Sequence, residues 1–226
     1  MDSYERSVEV LDQELRGVLG VFADLGDRDW SLPTNLEPVD RAKPHWSLLQ
    51  LAGHFAASIG LTRTLVAEPR DGQVARDRAS FFIFSRAEVA PVVYDHAYKM
   101  VEGKKPQDMP GVLAETFGMA IEEARASQPT LVGSGYYALM ELGEFVASRV
   151  VEAVVHGLDL TDPLGRDPVA TADGVAMCAS ILDQLLARRT VAGRPPDLAA
   201  DLDWIRAASG RRRAGPYPDH RLPLIG

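Results

Sequence analysis

The stretch from Phe145 to Leu160, Phe-Val-Ala-Ser-Arg-Val-Val-Glu-Ala-Val-Val-His-Gly-Leu-Asp-Leu, constrains this chain more than any other. Its ionisable residues are Arg149, Glu152, His156 and Asp159. Wound at about 100° per residue, these four and Ser148 fall within roughly a third of a helix circumference, and Val, Ala, Leu, Phe and Gly fill the rest. A helix that is apolar on its other faces is buried by its neighbours. The stripe must then find partners inside the protein, because an unpaired carboxylate or imidazole is costly to bury. If it faces inward, it lines a pocket.

Glu152 and His156 stand at i and i+4, so their side chains leave one face a turn apart, as two ligands of one ion would. Taken alone the spacing is weak evidence, since the same pair is common on solvated helix faces. Here it is set among aliphatic residues, and a further ligand candidate occupies an equally unusual place. In Leu51-Ala-Gly-His-Phe-Ala-Ala-Ser-Ile-Gly-Leu, the series Leu51, His54, Ser58, Leu61, Leu65 steps by three and four, the spacing of a core-facing seam, and His54 holds one of its positions. A lone histidine there is more often a core residue bonded to a carbonyl; beside a buried Glu/His pair, ligation is the better reading. Two imidazoles and one carboxylate leave a position open for water or substrate. That pattern belongs to a catalytic site, with zinc the best-suited metal and nickel, iron or manganese as alternatives. Asp159 has two readings, an acceptor that orients His156 or a helix-end cap and salt-bridge partner. Arg149 likewise has two, a partner for Glu152 or a contact for an anionic substrate.

Elsewhere, helical spacing dominates and period-two alternation is scarce, so the fold class is mostly α. A first helix carries Val8, Leu11, Leu15, Leu19 and Phe22 on one stripe and stops near Gly26. A loop over 27–44 with three prolines follows. Further helices are expected over about 46–66, 86–101, 111–126, 136–160, 171–189 and 198–208, with a break at Pro195-Pro196. The net charge of −8, from 24 Lys and Arg against 32 Asp and Glu, offers no general attraction to nucleic acid or to anionic membranes. Arg211 to Arg213 is the one local basic run, a solvated cluster unless it meets a single anionic group. No apolar run is long enough for a membrane span, and the opening Asp-Ser-Tyr-Glu-Arg lacks the pattern of a signal peptide, so a cytoplasmic location is expected. The single cysteine, Cys178, excludes an internal disulfide and a cysteine-only zinc site and is expected as a buried thiol. His45, His96 and His220 are expected to face solvent or bond locally. There is no Gly-x-Ser-x-Gly elbow, Gly-rich phosphate loop or dinucleotide fingerprint.

Trp30-Ser-Leu-Pro-Thr34, Trp46-Ser-Leu-Leu-Gln-Leu-Ala-Gly-His54 and Arg149-Val-Val-Glu-Ala-Val-Val-His-Gly-Leu-Asp-Leu together resemble the mycothiol-dependent maleylpyruvate isomerase family, within the DinB-like superfamily of metal-binding bundles. The tail, Ala208-Ser-Gly-Arg-Arg and Arg221-Leu-Pro-Leu, is similar to the ends of such proteins. The resemblance implies a DinB-like four-helix bundle over 1–165 and a short, mainly helical extension over 166–226. It implies His54, Glu152 and His156 as metal ligands; beside them, Arg149 and Asp159 are the expected catalytic residues by their place on the stripe, and Arg211 and Arg212, in the basic run, the expected cofactor-binding residues. It further implies a low-molecular-weight thiol, mycothiol, as cosubstrate. The extension is shorter than the substrate-covering domain of the isomerase, which turns the expected reaction toward thiol transfer to, or cis-trans isomerisation of, another small electrophile. A metal- or ligand-binding bundle without catalysis, and a metal enzyme of secondary metabolism that uses no thiol, are the competing readings. Monomer and homodimer are both open.

Overall fold

In a computed structural model of the chain, the described residues are 3–36, 38, 40, 42–84, 86–212, 215 and 217–225. Among them are seven α-helices and one two-stranded sheet. The helices are α1 (Ser3–Ala23), α2 (Leu48–Ala67), α3 (Arg86–Val101), α4 (Met109–Ala126), α5 (Leu142–Thr161), α6 (Ala172–Arg189) and α7 (Asp201–Ala208). The expected loop over 27–44 contains a 3-10 turn, Asp29–Ser31, and its residues 37, 39 and 41 lie outside the described set. Arg213 of the basic run lies outside it too.

Local chemistry accounts for the helix starts that matter to the site. Ser47 caps α2: its Oγ accepts from the Leu49 amide at 3.2 Å, while Gln50 Oε1 accepts from the Ser47 amide at 3.1 Å. This reciprocal pair satisfies amides that the first turn leaves without partners. Thr171 caps α6 in the same manner, its Oγ1 accepting from the Gly174 amide at 3.0 Å. Glu14, buried on α1, accepts from both the amide and the hydroxyl of Thr171 and so ties that cap to α1.

The helix expected from Tyr136 begins instead at Leu142. Residues before it form a hairpin in which β1 (Val132–Ser134) runs antiparallel to β2 (Leu139–Glu141), with Val132 opposite Glu141 and Ser134 opposite Leu139. The Gly135 amide closes the tip on the Ala138 carbonyl at 2.8 Å, and Tyr136 adopts φ +83°. Gly133-Ser-Gly135 is poor helix-forming sequence, and the aromatic and apolar residues after it fit a strand as well as a helix. Close packing supplies a second reason: a Cβ on Gly133 would fall 2.6 Å from the Leu65 carbonyl oxygen of α2.

α5 is buried over most of its circumference, packed against α1, α2 and α6. α4 packs on α1 and α2, α3 on α2, and α7 on α6, which also touches α1. Leu11, Leu15, Phe22, Leu51, Phe55, Phe145 and Leu158 fill the interior among these helices. α2 and α3 meet at Gly53, where a Cβ would lie 2.5 Å from the Ala97 carbonyl oxygen. This contact sets the depth at which the next residue, His54, sits beside α5. The tail returns over the end of α7, with the amides of Leu224 and Ile225 donating to the Ala208 carbonyl at 2.7 and 3.0 Å. Among the described residues no helix is long and apolar enough to cross a membrane.

Candidate metal centre

His54 from α2 and Glu152 and His156 from α5 meet in the interior, and one potential ligand atom from each lies within 4.8 Å of the others. Glu152 Oε2 is 3.3 Å from His54 Nε2 and 3.4 Å from His156 Nε2, so the carboxylate bridges two imidazoles. The rings lie edge to face, with centroids 4.5 Å apart. All three side chains are largely withdrawn from solvent.

Partners around the cluster fix its orientation. His156 Nδ1 is 2.8 Å from Asp159 Oδ2. A carboxylate at that distance holds a proton on Nδ1, so Nε2 is the ring atom that would offer a lone pair to an ion placed between it, Glu152 and His54. Asp159 is 1% exposed and accepts from Arg211 through Nε at 3.0 Å and Nη2 at 2.6 Å. Burial alone would raise the Asp159 carboxyl, but the Arg211 guanidinium and the His156 N–H outweigh it and hold it well below the usual carboxylate range. Burial would likewise raise Glu152, and Arg149 with the two histidines overcomes it, so Glu152 is also held well below its ordinary value. Burial and the neighbouring His156 depress His54. For His156 burial lowers the value, yet hydrogen bonding to Asp159 and Glu152 wins and raises it. A neutral His54 beside an ionised Glu152 and an Nδ1-anchored His156 is a donor set that suits a divalent ion.

Arg149 lies one turn before Glu152 and is 2% exposed. Its guanidinium sits in the corner formed by the edge-to-face rings of Phe81 and Phe145, 4.5 Å from each centroid, and donates through Nε and Nη2 to Ser148 Oγ at 3.3 and 3.1 Å. Its nearest approach to a carboxylate is 4.0 Å, Nη2 to Glu152 Oε1. The cluster opens on a cavity of about 420 Å³ whose walls include Trp46, Phe81, Tyr94, Tyr136 and Tyr137. The indole N–H of Trp46 and the hydroxyl of Tyr136 are buried without a hydrogen-bond partner among the described residues.

No family model, curated protein or solved structure matches the chain. What its site can do therefore rests on the residues themselves. The structure brings His54, Glu152, His156, Arg149, Asp159 and Arg211 together around one cavity or directly behind it. Arg212 is elsewhere, paired with Asp203 at 2.8 Å on the exposed side of α7 and absent from the cavity lining. His45 and His220 approach backbone carbonyls, those of Thr34 and Gly193, while exposed His96 reaches the cavity rim beside Tyr136. Cys178 is buried on α6, outside the lining, and burial pushes its thiol up.

The aromatic wall is the part that sequence reasoning did not find. Phe81 belongs to a 3-10 turn, Ser80–Phe82, in a segment that carries no helical period. Tyr136 and Tyr137 were absorbed into the expected long helix, although Gly-Ser-Gly ahead of them is a turn signal.

Proposed function

We propose that α1, α2, α4 and α5 form a DinB-like four-helix bundle whose His54, Glu152 and His156 hold one divalent metal ion, zinc before nickel, iron or manganese. The protein is an enzyme that uses a low-molecular-weight thiol, mycothiol, as the nucleophile toward a small electrophile, by transfer or by cis-trans isomerisation. One observation carries this reading: three ligand atoms from two helices converge within 4.8 Å inside an apolar interior and open on a cavity of about 420 Å³. Cavities of this size take a small organic molecule.

A bound divalent cation stabilises the deprotonated form of a thiol and makes it nucleophilic at neutral pH. The chain's own residues do the rest. Asp159 keeps the His156 proton on Nδ1, Arg211 holds Asp159 in place, and the aromatic walls offer an apolar surface to the substrate's body. The buried position of Cys178 is consistent with an external thiol, because no other cysteine is available to act as nucleophile.

Metal content by plasma mass spectrometry of untagged protein, beside a His54→Ala/His156→Ala double variant, tests the centre. Near-stoichiometric metal that disappears in the variant supports it, and no metal after incubation with zinc, nickel and manganese refutes it. Conjugate formation with mycothiol across a panel of electrophiles then tests the chemistry; a metal-loaded protein that turns over none of them sinks the thiol reading.

A further inference from the structure

Arg149 is a buried cation with an incomplete set of partners. Ser148 takes two of its donors, and Nη1 has no hydrogen-bond partner among the described residues. Burying a guanidinium is tolerated where a carboxylate engages it directly, normally through two short N–H···O bonds. Arg211 has such a partner in Asp159, at 2.6 and 3.0 Å. Arg149 has only the 4.0 Å approach to Glu152, and that carboxylate is shared with two imidazoles.

Its surroundings are those of a ligand contact. Phe81 and Phe145, whose rings meet edge to face, each lie 4.5 Å from the guanidinium and hold it in the corner between them, so little side-chain freedom remains to be lost when an anion meets it. Arg149 belongs to the cavity lining together with the aromatic wall. The side chains of Trp46 and Tyr136 line the same space. Around one cavity, then, are an undersupplied cation and a set of aromatic faces.

We propose that Arg149 is the anion anchor of this cavity, and that the molecule it takes is a monocarboxylic acid with an aromatic or similarly planar apolar body. The carboxylate accepts from the free edge of the guanidinium, and the body stacks against Trp46, Tyr94 and Tyr137. The inference names the substrate class of the site proposed above and rests on that reading for its electrostatics: once Glu152 serves a divalent ion, Arg149 keeps no carboxylate of its own.

The test is isothermal titration calorimetry with trans-cinnamate and its uncharged amide on the full-length protein at neutral pH, with metal content measured on each sample. The wild type is expected to bind the acid at least about tenfold more tightly than the amide, a difference of about 1.4 kcal/mol. Arg149→Met, close in volume and uncharged, is expected to bring the ratio near one while its metal content stays at the wild-type level. Arg149→Lys, a charge without the planar fork, falls between. Equal binding of acid and amide by the wild type overturns the proposal, and so does a ratio unchanged in Arg149→Met, which would mean that the acid is held by the metal or elsewhere. If circular dichroism shows Arg149→Met unfolded, Arg149→Lys decides: a reduced ratio supports the anchor and an unchanged one rejects it. Metal content fails or holds independently of these ratios, so loss of the metal reading and loss of the anchor are distinguishable.

Discussion

Replacing Asp159 by Asn separates two jobs that one carboxylate performs. Asp159 receives the His156 Nδ1 proton at 2.8 Å and two guanidinium donors of Arg211 at 2.6 and 3.0 Å, with both members of the ion pair almost fully buried. Removing one member of a buried pair leaves the other charge uncompensated and costs about 3–5 kcal/mol. The amide also cannot satisfy both neighbours, since its oxygen accepts while its NH2 group needs an acceptor. The Arg211 guanidinium has only donors and takes the oxygen, which turns the NH2 toward His156. His156 must then present a lone pair at Nδ1 and carry its proton on Nε2, the atom facing Glu152 and His54. Loss of that ligand orientation is expected to weaken metal binding by about 10–100-fold. Arg211→Met is the control: it breaks the same ion pair but leaves the His156–Asp159 hydrogen bond, so it lowers stability with a smaller change in metal affinity. Chelator competition gives the zinc Kd, and urea denaturation gives the stability. An Asn variant that is destabilised yet binds zinc with the wild-type Kd would refute the orientation argument.

Gly53→Ala places a Cβ 2.5 Å from the Ala97 carbonyl oxygen and 2.8 Å from Val101 Cγ1, so α2 and α3 must move apart; a loss of about 1–3 kcal/mol in urea denaturation is expected, and a stabilised variant would contradict the close approach. At Asp77, burial would raise the carboxyl, but Arg188 and the Ser80 amide and hydroxyl overcome it and bring it down to about 2. A depressed carboxylate stabilises the fold above its ordinary value of about 3.9 and loses that contribution as pH falls toward the folded value. Wild-type stability should therefore drop between those two limits, with a flatter acid limb in Asp77→Asn; superimposable profiles would dismiss the pair. Native protein should leave Cys178 unreactive toward a disulfide thiol reagent, with reaction appearing only on denaturation, and Cys178→Ala should retain the wild-type metal content. Rapid labelling of the native thiol would show that α6 does not bury it.

How far the site could be read in advance depended on whether a residue's role was written in its own helix. Glu152 and His156 were legible because a 3.6-residue period puts them on one face of α5 and the apolar remainder implies that this face is enclosed. His54 was legible as an ionisable residue in a core-facing seam of α2. Arg86–Val101 fell at its expected bounds, and α2, α4, α6 and α7 fell within three residues of theirs. The hairpin was not legible. Its strands are three residues each, too short for a period, and Leu139-Met-Glu-Leu142 continues the helical spacing of α5 without a break. The pairing of Arg211 with Asp159 spans 52 residues of sequence, and nothing local distinguishes Arg211 from Arg212, which points outward to Asp203. That distinction comes from how the chain turns after α7, where the amides of Arg211 and Arg212 both bond the Arg206 carbonyl and send the two side chains to different neighbours.

A single polar stripe on a buried helix thus obliges the rest of the molecule to supply different chemistry at each of its turns. At the first turn of the stripe the answer is aromatic: Phe81, held by a turn that Arg76 and Asp77 brace, packs on Arg149 at right angles to Phe145. In the middle it is an imidazole, His54, fixed beside Glu152 by the glycine contact between α2 and α3. At the end it is a guanidinium from the tail, Arg211, against Asp159. The last carboxylate meets a guanidinium and the middle one two imidazoles, whereas Arg149 at the first has no carboxylate closer than 4.0 Å. Arg149 is stacked but not neutralised, and it faces the cavity, so the imbalance falls at the place where an incoming molecule can correct it. A fold selected for stability alone gains nothing from burying that cation, since an apolar residue of similar volume would pack against the same two rings without the desolvation penalty.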